Sequence, residues 1–258
     1  MIPSPPSPRF PRDYAVPAAA LLLLAALLSS GGNMPVFLFF NRFATSDTFG
    51  LWAHWTVLGD ALLLMVLALV FVGRRPDVVW AIWIAAIVTT LAVHGLKPLL
   101  AAPRPAAVLD AAQLHVVGQI LRSGSFPSGH TTAAFAFAGV VILSVRRAWV
   151  TAMLLSAALG VGVSRMAVGA HWPVDVLTGA VLGWLGACAA LALAHRWTWG
   201  LAVWPQRIMA ALLLAAALVM VWGYDTGYPQ AAIMQRVLAA GARAGGAPGL
   251  LRLARGRA

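Results

Sequence analysis

The chain has 258 residues, 61% of them hydrophobic and only 10% charged, with a mean hydropathy of +0.86. A soluble domain carries about 25% charged residues, so there is too little polar surface here for a water-soluble globule. A cytosolic enzyme and a disordered regulator are excluded. The lone cysteine, Cys188, excludes an intrachain disulfide and a cysteine zinc cluster.

The net charge of +11 suggests nucleic acid until the charges are located. Most arginines sit in short clusters between apolar runs, which is the pattern of a polytopic membrane protein and not of a nucleic-acid binder. Glutamate is absent, and Lys97 is the only lysine among 18 basic residues. A chain that otherwise always uses arginine has one position where it uses lysine.

A bilayer core needs about 20 mostly apolar residues per helix. In chain order, such runs occur at 14–30, 51–72, 78–96, 127–145, 149–168, 173–194 and 208–223. The expectation is an all-α polytopic membrane bundle of six core helices plus a seventh near the C-terminus. Residues 14–223 would form one membrane-embedded domain, preceded by a cytoplasmic segment at 1–13 and followed by a basic Ala/Gly/Arg tail at 224–258. The first run is read as a retained span, because its apolar stretch is long and no clear signal cleavage site follows it.

Arg9 and Arg12, Arg74 and Arg75, Arg146 and Arg147, and Arg196 with Arg207 fall at alternate ends of these runs. All of them therefore lie on one side, the cytoplasmic one by the positive-inside rule. Arg42 is an exception on the outer side. Tryptophans mark both interfaces, Trp52, Trp55, Trp172 and Trp222 outside and Trp80, Trp83, Trp149, Trp197 and Trp199 inside. Trp184 lies mid-span. One conflict remains: if 208–223 crosses, the arginine-rich tail lies outside. Its composition suggests a flexible tail or a surface helix near anionic lipid.

The uncommon polar residues collect at four places on the outer side: Lys97 and Arg104, then Ser128, Gly129 and His130, then Arg165, then His171 and Asp175. Three cations beside a helix start with Ser and Gly form an anion site. Lysine supplies a point charge, and arginine a planar fork matched to phosphate oxygens. The free N–H groups at the start of a helix favour negative charge. His171 and Asp175 are four apart and share a helix face. A carboxylate there can accept from one ring nitrogen and leave the other as a base or nucleophile. His130 could donate a proton. A nucleophile with its orienter, plus a separate acid, is the layout of covalent catalysis. No cluster of carboxylates for magnesium is present, so metal-independent phosphoryl transfer without a cofactor is expected.

Lys97-x6-Arg104-Pro105, Pro127-Ser128-Gly129-His130 and Ser164-Arg165-x5-His171-x3-Asp175 together resemble the three-part signature of the type 2 phosphatidic acid phosphatase family. That family is related to the vanadium haloperoxidases. All eleven signature positions are present in order, over a core of about 78–195. The resemblance implies that His171 attacks phosphorus, Asp175 orients it, and His130 protonates the leaving oxygen and then helps activate water. Lys97, Arg104, Ser128, Gly129 and Arg165 would hold the phosphate. The implied substrate is a membrane lipid phosphate or diphosphate of the undecaprenyl diphosphate, phosphatidylglycerol phosphate, phosphatidate or lipid A type. Arginine-rich usage suggests a bacterial source, hence a bacterial inner membrane with a periplasmic site. A phosphotransferase discharging to an acceptor lipid, and a non-catalytic transporter or scaffold, are the alternatives.

Other positions are less committed. Asp60, inside the second run, is either a partner of Lys97 or a site histidine, or a helix-packing hydrogen bond. His94 is expected to pack against a neighbouring helix, and His54 and His115 to be interfacial. Arg122 stands outside the motifs. Residues 108–121 have the spacing of a surface helix that could lid the site, or equally of an ordinary connecting helix, and the patch from Phe37 to Phe40 could dip into the outer leaflet.

Overall fold

Apolar runs this long can bury their backbone in lipid only as helices or closed barrels. The computed structural model describes residues 12–256, and these contain helices and no strand. The helices are α1 (Ala15–Ser29), α2 (Asn33–Asn41), α3 (Phe49–Val57), α4 (Ala61–Leu67), α5 (Pro76–Leu100), α6 (Pro105–Val108), α7 (Gly129–Val145), α8 (Ala148–Ala167), α9 (Pro173–Arg196), α10 (Val203–Trp222) and α11 (Ala232–Ala254). Four segments are individually long and apolar enough to cross a membrane: Pro76–Val108, Ala148–Ala167, Pro173–Arg196 and Val203–Trp222. Two bent pairs, α1 with α2 and α3 with α4, bring the number to six. α7 is apolar but shorter, at 17 residues.

The first two runs are not the straight spans their hydropathy suggests. α1 ends in a turn with Gly31 in the left-handed region, and α2 leaves at 107°. α2 packs over α8 and α9 instead of continuing across. Phe37 is fully buried against Trp172, with ring centroids 5.0 Å apart, while Phe39 and Phe43 remain exposed under the Arg42 guanidinium. The expected leaflet patch is thus split between core and surface.

The second run breaks by 60° between α3 and α4. At Gly59 a Cβ would stand 2.5 Å from Val161 Cγ1 and 3.0 Å from the His130 carbonyl oxygen, so only glycine lets this backbone approach. Asp60 then caps α4, accepting from Leu63 N–H at 2.9 Å and from the Tyr224 hydroxyl at 3.0 Å. Its hydrogen-bond partners include neither Lys97 nor a histidine, so the packing reading of Asp60 holds.

α7 and α9 form the centre of the bundle. Gly183 lies so close to α7 that a Cβ there would meet the Thr132 carbonyl oxygen at 2.3 Å. Small residues that allow such backbone approach drive helix association in lipid. This packing places the start of α7 beside the start of α9, where Ser128 N–H donates to the Asp175 carbonyl at 3.1 Å. Trp184, which had no interface to mark, faces this core and donates to the Asp13 carbonyl at 2.7 Å.

The largest departure is the tail. Residues 232–254 are helical, and their buried positions Gln235, Ala239, Ala242, Gly246, Gly249 and Leu253 form one seam at helical spacing. α11 begins beside Tyr224, whose carbonyl accepts from Gln235. It ends beside the α4–α5 loop and the start of α10: Arg74 donates to the Gly245 carbonyl, and Arg207 to those of Leu253 and Ala254. α11 therefore runs antiparallel to α10 and returns Arg252 and Arg255 to the side carrying Arg74, Arg75 and Arg207. The conflict with the positive-inside rule disappears.

Candidate active site

α7 and α9 place two of the three motifs. Ser128 is the N-cap of α7; its hydroxyl lies 3.0 Å from Thr131 Oγ1 and accepts from Thr131 N–H. The side chain is fully buried and holds the first turn of α7. A Cβ at Gly129 would find only Val93, at 3.8 Å. His130 follows on the same turn and is half-buried.

His171 stands in the loop between α8 and α9 and is 2% exposed. Its backbone N–H, like that of Ala170, donates to the Arg165 carbonyl at 3.1 Å, which ties the histidine to the end of α8. Its Nδ1 faces Asp175 Oδ2 at 3.4 Å and makes no hydrogen bond within normal distance. Such contacts are often long until substrate binds. On the other side, Arg104 Nη1 lies 3.4 Å from His171 Nε2. A guanidinium can only donate, so Nε2 carries the lone pair and Nδ1 carries the proton toward Asp175. Burial, reinforced by the charges of Arg165, Arg104 and Lys97, holds the pKa of His171 well below its ordinary 6.5. The imidazole is neutral, with its free lone pair turned toward cations.

Arg104 is held on all sides. It donates to the carbonyls of Ser123, Ala170 and Gly124 at 2.9, 3.0 and 3.2 Å, and its own N–H is fixed by the Arg122 carbonyl. Arg122 donates to the Ala106 carbonyl and serves this loop. Lys97, on the last turn of α5, is half-buried and runs past Gly124. Arg165, on the last turn of α8, is 4% exposed and donates through Nη1 to Thr56 and Tyr228. Lys97, Arg104, Arg165, His171 and Asp175 thus converge, with the first turn of α7 alongside.

Residues 77–200 match the family model described as the PAP2 superfamily. That segment, just under half of the chain, is similar to this superfamily. Among curated PAP2 relatives, phosphatidylglycerophosphatase B of Escherichia coli K12 is 41% identical over 75 residues, 28% of this chain and 30% of that protein. Lipid A 1-phosphatase of Rhizobium johnstonii is 38% identical over 72 residues, 28% of this chain and 29% of its own length. The matched stretches therefore span under a third of these relatives. The crystal structure of Aquifex aeolicus LpxE superposes with a TM-score of 0.56 at 28% identity, over 62% of this chain and 94% of that one. With its multiple apolar helices, this chain is a multi-pass membrane protein.

Several residues that shape this site carry no motif. Ser125 donates its hydroxyl to Asp175 Oδ2 at 2.5 Å, and the Trp172 N–H donates to the same oxygen at 2.9 Å. Trp172 is buried, not interfacial, and donates to the Pro103 carbonyl. Asn41 bridges α2 to the His115 and Ala167 carbonyls at 2.7 and 2.8 Å, so His115 is tied to the core of this loop. Residues 109–128 are mostly irregular, with one 3-10 turn at Ala111–Gln113, and do not form the amphipathic lid helix their spacing suggests. Pinned backbone contacts, such as Val117 N–H to the Val168 carbonyl, replace helix hydrogen bonds there. His94 is exposed.

Proposed function

We propose that this protein is an integral membrane phosphatase that removes phosphate from a lipid phosphate or diphosphate through a phosphohistidine intermediate. The observation that carries the reading is the buried neutral His171, with Nε2 turned to Arg104 and Nδ1 to Asp175. In the first half-reaction Nε2 forms a bond to phosphorus as the ester P–O bond breaks, and His130 gives its proton to the leaving oxygen. Asp175 stabilises the charge that develops on the imidazole. In the second, water attacks phosphorus, His130 takes its proton, and the P–N bond breaks to release inorganic phosphate. Lys97, Arg104, Arg165 and the Gly129 N–H hold the equatorial oxygens, where charge grows in the transition state. Ser128 acts by capping the turn that presents Gly129 and His130.

A lipid substrate is favoured by what lies next to the site. One turn along α7 from His130, a cavity of about 370 Å³ is lined by Ala61, Leu64, Ala85, Ala133, Phe137 and Tyr224. It would take the first part of an apolar tail while the headgroup meets the cations. The relatives named for phosphatidylglycerophosphate and lipid A 1-phosphate support the same substrate class. The arginine distribution supports a bacterial inner membrane with the site on the periplasmic side, within one membrane unit whose catalytic core is 78–195.

The test is phosphate release in detergent, with EDTA present, from undecaprenyl diphosphate, phosphatidylglycerol phosphate, phosphatidate and a lipid A 1-phosphate. Wild type should release phosphate from at least one, and His171→Ala from none. Release that persists in His171→Ala, or that EDTA abolishes, would contradict the mechanism.

A further inference from the structure

Arg165 is a buried cation without a carboxylate. Among the described residues no Asp lies within ion-pair distance of it, and its only side-chain hydrogen bonds run from one nitrogen, Nη1, to two neutral acceptors. Thr56 Oγ1 accepts at 2.6 Å and the Tyr228 hydroxyl at 2.9 Å. Nε is buried and has no partner. Buried charges are normally paired, and the Nε–Nη2 edge of a guanidinium is one of its bidentate faces for phosphate. Clamping Nη1 alone fixes the plane of the fork and leaves that edge for an anion.

The two clamping residues come from outside the superfamily core of 77–200. Thr56 is fully buried at the end of α3. Tyr228 lies in the loop between α10 and α11 and is 8% exposed. Its ring packs over Gly118, where a Cβ would stand 2.9 Å from the ring edge, and its carbonyl accepts from Ala231 N–H. The same loop carries Tyr224, which is bonded to Asp60. The C-terminal hairpin therefore reaches the phosphate site from the outer side.

We propose that Tyr228, together with Thr56, is a positioning residue that sets the Arg165 guanidinium for the phosphate, so that the α10–α11 hairpin completes the active site. This rests on the phosphatase reading above. It is tested in the full-length protein with Tyr228→Phe, Thr56→Val and Thr56→Ser, measuring kcat, KM, inhibition by inorganic phosphate and melting temperature. A hydrogen bond to a charged group accounts for roughly tenfold or more. Tyr228→Phe and Thr56→Val should each lower kcat/KM by about tenfold and weaken phosphate inhibition, with the protein still fully folded at the assay temperature. Thr56→Ser, which keeps the hydroxyl, should behave as wild type. Activity and phosphate inhibition within about twofold of wild type in both Tyr228→Phe and Thr56→Val would overturn the proposal. So would losses that appear only where the variant is no longer fully folded at the assay temperature. A wild type inactive on every lipid would count against the phosphatase reading instead. The clamp would then be judged by the stabilisation against heat that inorganic phosphate confers, which Tyr228→Phe should reduce; equal stabilisation in both proteins would overturn it.

Discussion

His171 is where local chemistry and burial meet. The depressed pKa follows from desolvation first and from the surrounding cations second, and it has two consequences of opposite practical sign. For activity, the nucleophile stays unprotonated as pH falls through about 6.5, so kcat/KM should lose its nucleophile limb only below that value. For stability, the unfolded chain takes up a proton near 6.5 that the folded one refuses, so acidification favours unfolding. The melting temperature should fall between about pH 7 and pH 5, and fall less in His171→Asn. Arg104→Lys is a separate test. It replaces a fork held by three carbonyls and facing Nε2 with a single point charge, and kcat should drop by about 100-fold. The motif residues were legible because their chemistry is uncommon in an apolar chain and their spacing is fixed. Ser125 and Tyr228 were not: a serine in a loop and a tyrosine after the last span acquire meaning only when the fold brings Asp175 and Arg165 to them.

At the scale of elements, hydropathy located the helices and missed where they break. The run 51–72 is apolar enough to span, yet a glycine and a capping aspartate bend it. The signal was present in the Gly59-Asp60 pair, since an aspartate followed by an apolar run is an N-cap pattern. Asp60→Ala removes both the cap and the acceptor for Tyr224, and should cost about 1–2 kcal/mol, read as a lower melting temperature, while Asp60→Asn costs less. At Gly183, a valine side chain would force α7 from α9 against the Thr132 carbonyl. Overpacking of this kind costs about 1–3 kcal/mol, and it should also reduce kcat, because the same contact seats His130 near His171. That the helix 232–254 packs into the bundle was not legible, because its seam is built mostly from Ala, Gly and Gln, with arginines along its other faces; its packing energy comes from close approach, not from apolar bulk.

For the whole molecule, one end of the bundle gathers the ends of four helices and the α10–α11 loop around a cationic cluster, while the opposite end gathers Arg74, Arg75 and Arg207. The return of α11 makes a topological prediction. In a Cys188→Ser background, Asp225→Cys should react with a membrane-impermeant maleimide added from outside, and Arg255→Cys only after permeabilisation. Labelling of both from outside would place the tail opposite to its position here. That Tyr224 sits next to this loop with its hydroxyl pushed up to about 12 by burial and by Asp60 keeps it a donor throughout the usable pH range, so the tie between α4 and the hairpin should persist in alkaline buffers.

The central claim is the covalent step. It is tested most directly by rapid acid-free quenching of the wild type during turnover of a phosphate-labelled lipid, followed by mapping of the labelled peptide. Label should appear on the peptide carrying His171 as an acid-labile, base-stable phosphoramidate, and should be absent from His171→Ala. Label found on another residue, or phosphate released by wild type with no labelled protein at any time point, would contradict the account.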